Sequence, residues 1–314
     1  MQNYTCPDLA RRLPVNKYEW KGRAMYYALL SGGSGRRLWP LSNEVRPKQY
    51  IKLVNRETNA MERCSMLQRV WDQLLEAGMA ENTIITAGEE QRELILSQVR
   101  GARIAAEPAG RDTFGAVLLS CAYLHSCAGA SREDYVAVMP IDPYTEAAYF
   151  EAVKGLEAVM ERSGAEIGLL GAAPSYPATK YGYMLPGERK DGYFWIDGFV
   201  EKPKEDRAEE ILKKGALWNC GVFCLRIGDM LERAALYGVP EDYEGLCRSY
   251  ESLPRISFDY EVLEKAKRLA AVEFKGFWKD LGTWDAMADQ MNTDTIGRVV
   301  LDDACRNTQV INEL

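Results

Sequence analysis

The feature that most limits what this chain can fold into is an alternation of short apolar runs with longer helix-like segments between Met25 and Ala172. Tyr26–Ser31 (YYALLS) is an apolar run that ends in glycines, so it reads as a buried strand. Thr83–Ala87, Ala102–Glu107, Tyr135–Pro140 and Glu166–Ala172 repeat the pattern. Between them the sequence predicts helices over Asn59–Gly78, Glu89–Val99, Thr113–Cys127 and Ala147–Arg162. In the first of these, Met61, Cys64, Leu67, Trp71 and Leu74 recur at helical spacing. Asn59 and Glu62 are placed for a cap, and Gly78 for the stop. Strands alternating with helices of about ten or more residues imply βαβ units, an α/β fold and a mostly parallel sheet. Ligands of such sheets bind beyond the carboxyl ends of the strands. The loops after Ser31, Glu107 and Pro140 should therefore line one crevice.

The second half is less regular. Tyr181–Leu185 and Phe194–Glu201 read as strands joined by a turn. Phe223–Arg226 continues a sheet after Trp218–Gly221, and helices are expected over Ile227–Tyr237 and Tyr260–Leu269. Residues 1–24 are polar, lack a clear period, and read as an N-terminal extension, with Met25 open as an alternative start. Residues 25–290 read as the main domain, and 291–314 as the start of a short C-terminal β segment.

Composition narrows the function. A net charge of −7 argues against non-specific nucleic-acid binding, which needs a basic face. No run approaches the roughly 18–20 apolar residues of a membrane span, and no apolar core follows the early arginines as a secretory signal requires. A cytoplasmic location is expected, with no membrane partner. The eight cysteines include no C-x-x-C pair and read as reduced core thiols. The single histidine, His125, falls late in an apolar helix, which leaves zinc chemistry based on histidine without ligands.

The most informative segment is Ser31–Pro40, SGGSGRRLWP. No G-K-[ST] closes it, so it is not a Walker A loop, and Leu38 stands where a dinucleotide fingerprint has its third glycine. What remains is a strand, a turn through Gly32, Gly33, Ser34 and Gly35, and the arginines Arg36 and Arg37. Glycines let a backbone approach phosphate, and free amides in such a turn bind anions. On glycines alone, a tight turn with surface arginines explains the segment as well. Arg46-Pro47-Lys48-Gln49-Tyr50 adds two more cations nearby, making a local anion site within an acidic protein.

Together, SGGSGRRLWPLS and RPKQY resemble the signature of the sugar-phosphate nucleotidyltransferases, especially the mannose-1-phosphate guanylyltransferase branch. Further motifs follow in family order from about Met25 to about Ala286. Glu107-Pro108-Ala109-Gly110-Arg111-Asp112-Thr113 resembles the base- and phosphate-contacting loop. Pro140-Ile141-Asp142-Pro143 is similar to the loop with the first magnesium-binding aspartate. Tyr181-Gly182-Tyr183 resembles the sugar-facing turn, and Trp218-Asn219-Cys220-Gly221 a sugar-contacting strand. Phe199-Val200-Glu201-Lys202-Pro203 matches a motif whose glutamate holds sugar hydroxyls and whose lysine holds the sugar phosphate. Trp278–Trp284 (WKDLGTW) resembles the element with the second aspartate, Asp280. Arg36, Ile141, Pro143 and Lys180 depart from the common pattern, which bears on sugar choice more than on reaction type.

The resemblance implies a Rossmann-like, nucleotide-diphospho-sugar transferase fold with a smaller, irregular α+β sugar-binding portion. It implies transfer from a nucleoside triphosphate, GTP in this branch, to a sugar 1-phosphate, with Mg2+ on Asp142 and Asp280. Arg37 and Lys48 would stabilise the triphosphate and pyrophosphate. Lys202 would place the sugar phosphate, with Glu201, Asn219, Tyr181 and Gly182 around the sugar. A homodimer is compatible with this reading. A uridylyl- or thymidylyltransferase acting on glucose 1-phosphate, and an inactive regulatory subunit of the same fold, stay open as alternatives.

Overall fold

Strand β1 (Met25–Leu30) serves two cores at once: Tyr26 and Ala28 face one, while Met25, Tyr27 and Leu29 face the other. That is the expected outcome when a strand's side chains alternate and both faces are covered. The computed structural model describes residues 25–33, 39, 41–43, 46–56, 59–281, 287, 295–296 and 310–311. Along the chain follow β2 (Val54–Arg56), β3 (Asn59–Cys64), α1 (Met66–Glu76), β4 (Thr83–Gly88), α2 (Arg92–Gln98), β5 (Arg103–Glu107) and α3 (Asp112–Ala128). Then come β6 (Tyr135–Pro140), β7 (Pro143–Thr145), α4 (Ala147–Ser163), β8 (Ile167–Ala172), β9 (Tyr183–Lys190) and β10 (Tyr193–Val200). The remainder comprises α5 (Glu205–Leu212), β11 (Leu217–Arg226), α6 (Ile227–Leu236), α7 (Tyr243–Ser249), α8 (Phe258–Glu261), β12 (Leu269–Phe274) and β13 (Trp278–Asp280).

Nine strands form one sheet in the order β5-β4-β1-β6-β11-β8-β12-β10-β9. Strands β4 and β6 run parallel to β1, β5 to β4, and β12 to β8. Only β10 and β11 run against the rest, so the expected mostly parallel sheet is present with two reversals. Helices α3, α6 and α7 pack on one face, and α1, α2 and α4 on the other. Cys64, Cys121, Cys220 and Cys224 are buried free thiols. No helix among the described residues is long and apolar enough to cross a membrane.

Two expected helices differ. Asn59–Cys64 is a strand, paired antiparallel with β2, and the helix starts only at Met66. Ser65, not Asn59, is its cap: Ser65 Oγ accepts from the Gln68 amide at 3.1 Å, and Gln68 Oε1 accepts from the Ser65 amide at 3.2 Å. Met61 and Cys64 happen to fall in phase with the helix that follows, which hid the boundary. The expected helix over Tyr260–Leu269 is also broken. After the one-turn α8 and a 3-10 turn at Leu263–Lys265, Leu269 already opens β12. There β12 fills the slot between β8 and β10, so ladder bonds on both sides outweigh the helical pattern.

Candidate active site

The loop after β1 is anchored from below. Gln49 Nε2 donates to the Ser31 carbonyl at 2.6 Å, and Ser31 Oγ lies 2.7 Å from Tyr50 Oη. The Tyr50 hydroxyl donates to Gln91 Oε1 at 3.0 Å, so its oxygen accepts from Ser31. Gly33 has φ +114, a conformation that favours glycine. A Cβ on Gly32 would stand 3.1 Å from Glu107 Oε2, so the glycine loop and the end of β5 are in contact. Ser34, Gly35, Arg36 and Arg37 lie outside the described residues.

Lys48, in a 3-10 turn at Lys48–Tyr50, is nearly buried. Its ammonium donates to Asp142 Oδ2 at 2.8 Å and to the Leu281 carbonyl at 3.4 Å. Asp142 follows β6 and leads into β7, which pairs with β13 so that Asp280 stands opposite Pro143. The Leu281 amide donates to the Asp142 carbonyl at 3.1 Å. Three residues far apart in the chain, Lys48, Asp142 and Asp280, thus meet just beyond the carboxyl end of β6. Two aspartates at adjoining strands, one of them paired with a cation, suit a hard divalent ion whose other ligands are phosphate oxygens and water. Among the described residues no group of three or more His, Cys, Asp or Glu side chains could hold a metal by itself.

Glu107 closes β5 and is buried. Tyr250 donates to its Oε1 at 2.8 Å. Burial pushes its pKa up to about 7, partly countered by that hydrogen bond. Because the native state holds this proton longer than the unfolded chain does, stability falls as pH rises from about 4.5 to about 7. Glu107→Gln removes that loss. Melts at pH 5 and pH 8 should show the variant nearly equal to the parent at the lower pH. At the higher pH it should be more stable, by up to about 3 kcal/mol. Equal stabilities at both values would remove the argument.

Beyond Glu107 the loop is committed largely to its own surroundings. Pro108 is exposed. The Gly110 carbonyl accepts from Arg255 Nε at 3.0 Å, and Arg111 Nη2 donates to the Glu251 carbonyl at 2.6 Å. Asp112 opens α3 with φ +62 and accepts from the Thr113 amide at 2.7 Å. Thr113 Oγ1 accepts from the Phe258 amide at 2.8 Å. The arginine expected at the crevice is therefore engaged with the turn at Tyr250–Ser252 instead.

The residues expected around a sugar gather on β11 and beside the β9–β10 hairpin. The Asn219 amide donates to the Gly182 carbonyl at 2.8 Å. A register irregularity between Asn219 and Phe223, with Gly221 at φ +72, turns the Asn219 side chain so that its Oδ1 accepts from the Gly221 amide at 3.0 Å. Its Nδ2 donates to Asp259 Oδ1 at 3.3 Å. Lys202, at φ +44, donates to Glu201. The other carboxylate oxygen of Glu201 is buried and has no hydrogen-bond partner among the described residues. Asp259 was not expected here. Burial, then the Glu201 charge, pushes its pKa up to about 6. The signal it left in sequence is its place in Ser257-Phe258-Asp259, the start of α8, where Ser257 caps. Gly182 is required for space: a Cβ there would approach Glu201 Oε2 to 2.6 Å and Phe199 Cζ to 3.0 Å. Gly182→Ala should raise the KM for the sugar substrate about tenfold or more with little change for the nucleotide. An unchanged KM would show that the turn does not meet the sugar.

The arrangement therefore has a glycine loop, a cation, two carboxylates and a polar cradle along one edge of the sheet. The nucleotidyl transferase family profile matches residues 27–296. The chain is 32% identical over 309 residues to the xanthan biosynthesis protein XanB of Xanthomonas campestris pv. campestris, covering 89% of this chain and 63% of the relative. It is 27% identical over 294 residues to mannose-1-phosphate guanylyltransferase 2 of Escherichia coli O157:H7, covering 83% and 58%. Among solved structures, that of mannose-1-phosphate geranyltransferase from Thermus thermophilus is similar, with 33% identity and TM-score 0.73, covering 87% of this chain and 81% of that one. The chain spans about three fifths of the length of the curated relatives it matches. With motif order, sheet topology and profile in agreement, the chain belongs to the nucleotidyl transferase family.

Proposed function

We propose that the chain transfers the guanylyl group of GTP to mannose 1-phosphate, giving GDP-mannose and pyrophosphate. The observation that carries this reading is the junction of Lys48, Asp142 and the Asp280–Leu281 segment, one loop away from the Gly32–Glu107 contact. The activities for which relatives are named, mannose-1-phosphate guanylyltransferase among them, support the choice of sugar and base. A phosphate oxygen of the sugar phosphate attacks the α-phosphorus of the triphosphate. The bond from that phosphorus to the bridging oxygen breaks, and its electrons leave with pyrophosphate. A phosphate monoester loses its second proton near pH 6, so the attacking group needs no general base at neutral pH. That agrees with the position of His125, whose Nδ1 lies 2.8 Å from the Ala130 carbonyl at the far end of α3.

The protein's task is then positioning and charge neutralisation. Lys48 uses two of its three N–H donors on Asp142 and Leu281, leaving a third for a phosphate oxygen. Asp142 and Asp280 would hold Mg2+, which when bound neutralises charge on the triphosphate. Lys202 holds the sugar phosphate, while Glu201, Asn219 and Gly182 enclose the sugar. Glu107, facing Gly32, offers an acceptor to the two neighbouring N–H donors of guanine. Arg36 and Arg37 add charge to the phosphate loop in this reading, with Ser34 and Gly35 supplying backbone amides.

Pyrophosphate release should be measured with Mg2+ across a matrix of nucleoside triphosphates and hexose 1-phosphates. Fastest turnover with GTP and mannose 1-phosphate is expected. A best pair of UTP or dTTP with glucose 1-phosphate would keep the mechanism and replace the substrates. No turnover from folded protein with any pair would favour a non-catalytic subunit.

A further inference from the structure

Asp280 sits on a weak support. Its strand, β13, has three residues and among the described residues pairs only with the three residues of β7. A ribbon that short is not stable by itself, so side-chain packing must fix where its carboxylate points. That packing is aromatic. The Tyr181 ring lies 5.0 Å from the Trp218 ring and 5.2 Å from the Trp278 ring, at edge angles of 67° and 69°. Trp218 also meets Tyr176 at 5.1 Å and Trp278 at 6.2 Å. Trp278 belongs to β13 itself, two residues before Asp280, and Trp218 stands beside Asn219 on β11. The hydroxyl of Tyr181 lies within hydrogen-bonding reach of the backbone of Asp280 and of the hydroxyl of Tyr176. Tyr181 is buried, with its polar end turned to the aspartate strand.

We infer that Tyr181 is a positioning residue for Asp280, tying the sugar-facing turn to the strand that carries this carboxylate through its hydroxyl at the Asp280 backbone and through the rings of Trp218 and Trp278. The inference rests on the reading that Asp280 helps to hold a divalent cation. Its consequence is that the turn at Tyr181–Gly182 and the cation site are mechanically one unit. A sugar phosphate that settles on Gly182 and Asn219 also steadies Asp280, and Tyr181 acts through Asp280 without touching substrate. Every ring pair in the cluster is within the 4.5–7 Å range over which edge-to-face aromatic contacts are favourable, so the link is stiff.

Tyr181→Phe tests this, since it keeps the ring and deletes the hydroxyl. Mn2+ is titrated into the full chain, alone and with GTP or UTP, and followed by water-proton relaxation, which separates protein-bound from nucleotide-bound metal. The expected result is Mn2+ binding weakened about fivefold, as for the loss of one hydrogen bond. The KM for the sugar phosphate should stay within about twofold and the melting temperature within a few degrees. Trp278→Phe should weaken Mn2+ binding in the same direction. A raised sugar-phosphate KM with unchanged Mn2+ binding would make Tyr181 a sugar contact and overturn the inference. No change in either would reduce the cluster to packing and overturn it as well. If the parent turns over no nucleotide–sugar pair, yet Mn2+ binding still weakens in Tyr181→Phe, the inference stands and the guanylyltransferase reading falls. A parent that binds no Mn2+ under any of these conditions would overturn both.

Discussion

Asp142→Ala and Asp280→Ala are each expected to lower turnover by at least about a thousandfold, because preorganised charge at the reacting phosphate is the largest contribution the protein makes. The two variants should differ in stability. Asp142 is the partner of Lys48, whose side chain is only 10% exposed while that of Asp142 is 28% exposed. Removing Asp142 strands a nearly buried ammonium, and the cost should be about 2 kcal/mol, less than for a wholly buried pair because water reaches the carboxylate side. Asp280→Ala leaves the pair of Lys48 and Asp142 in place and should melt closer to the parent. Asp142→Asn keeps the shape and loses the charge, so it should be as inactive as the alanine variant. Activity within tenfold of the parent in any of the three, with the fold intact by circular dichroism, would defeat the assignment.

Lys48→Met is the second large effect. The methionine fills the buried stem while deleting the ammonium that binds Asp142 and the Leu281 carbonyl. Loss of kcat by about a hundred- to a thousandfold is expected, the range seen when one donor to a developing anion is removed. The melting temperature should change by only a few degrees, since Asp142 keeps some solvent. Lys48→Arg should restore little, because a planar fork cannot place its donors as a compact ammonium does. A variant with normal kcat and a raised KM for GTP would show that Lys48 binds the triphosphate equally in ground and transition states.

Much of the scaffold was legible before folding. Five apolar runs became β1, β4, β5, β6 and β8 within a residue or two at their ends, and the helices over α3 and α4 fell where the pattern placed them. Of the three loops expected to line one crevice, those after Ser31 and Glu107 lie against each other at Gly32 and Glu107. These features are local. Side-chain alternation, a run of apolar residues and a glycine turn are properties of a few neighbouring residues, and they hold in any context.

Other features had no local signature. Tyr260–Leu269 reads as one helix, yet Leu269 opens β12, because a slot between β8 and β10 offers that strand two ladders. Asp259 meets Asn219 only because the start of α8 packs against Asn219 and Thr113. Arg111, which by motif belongs at the crevice, finds the Glu251 carbonyl 140 residues away instead.

By itself, then, the sequence determined the βαβ periodicity, the glycine loop and the set of polar residue types, because each follows from short-range sterics and burial pattern. Tertiary structure decided which of them meet. Lys48 and Asp142 are 94 residues apart in the chain and 2.8 Å apart in space. Asp280 reaches the same place on a three-residue strand held by aromatic rings from other elements. Such encounters depend on the order in which strands join the sheet. That order is set by backbone pairing and core burial summed over the whole chain, a quantity that no short stretch contains.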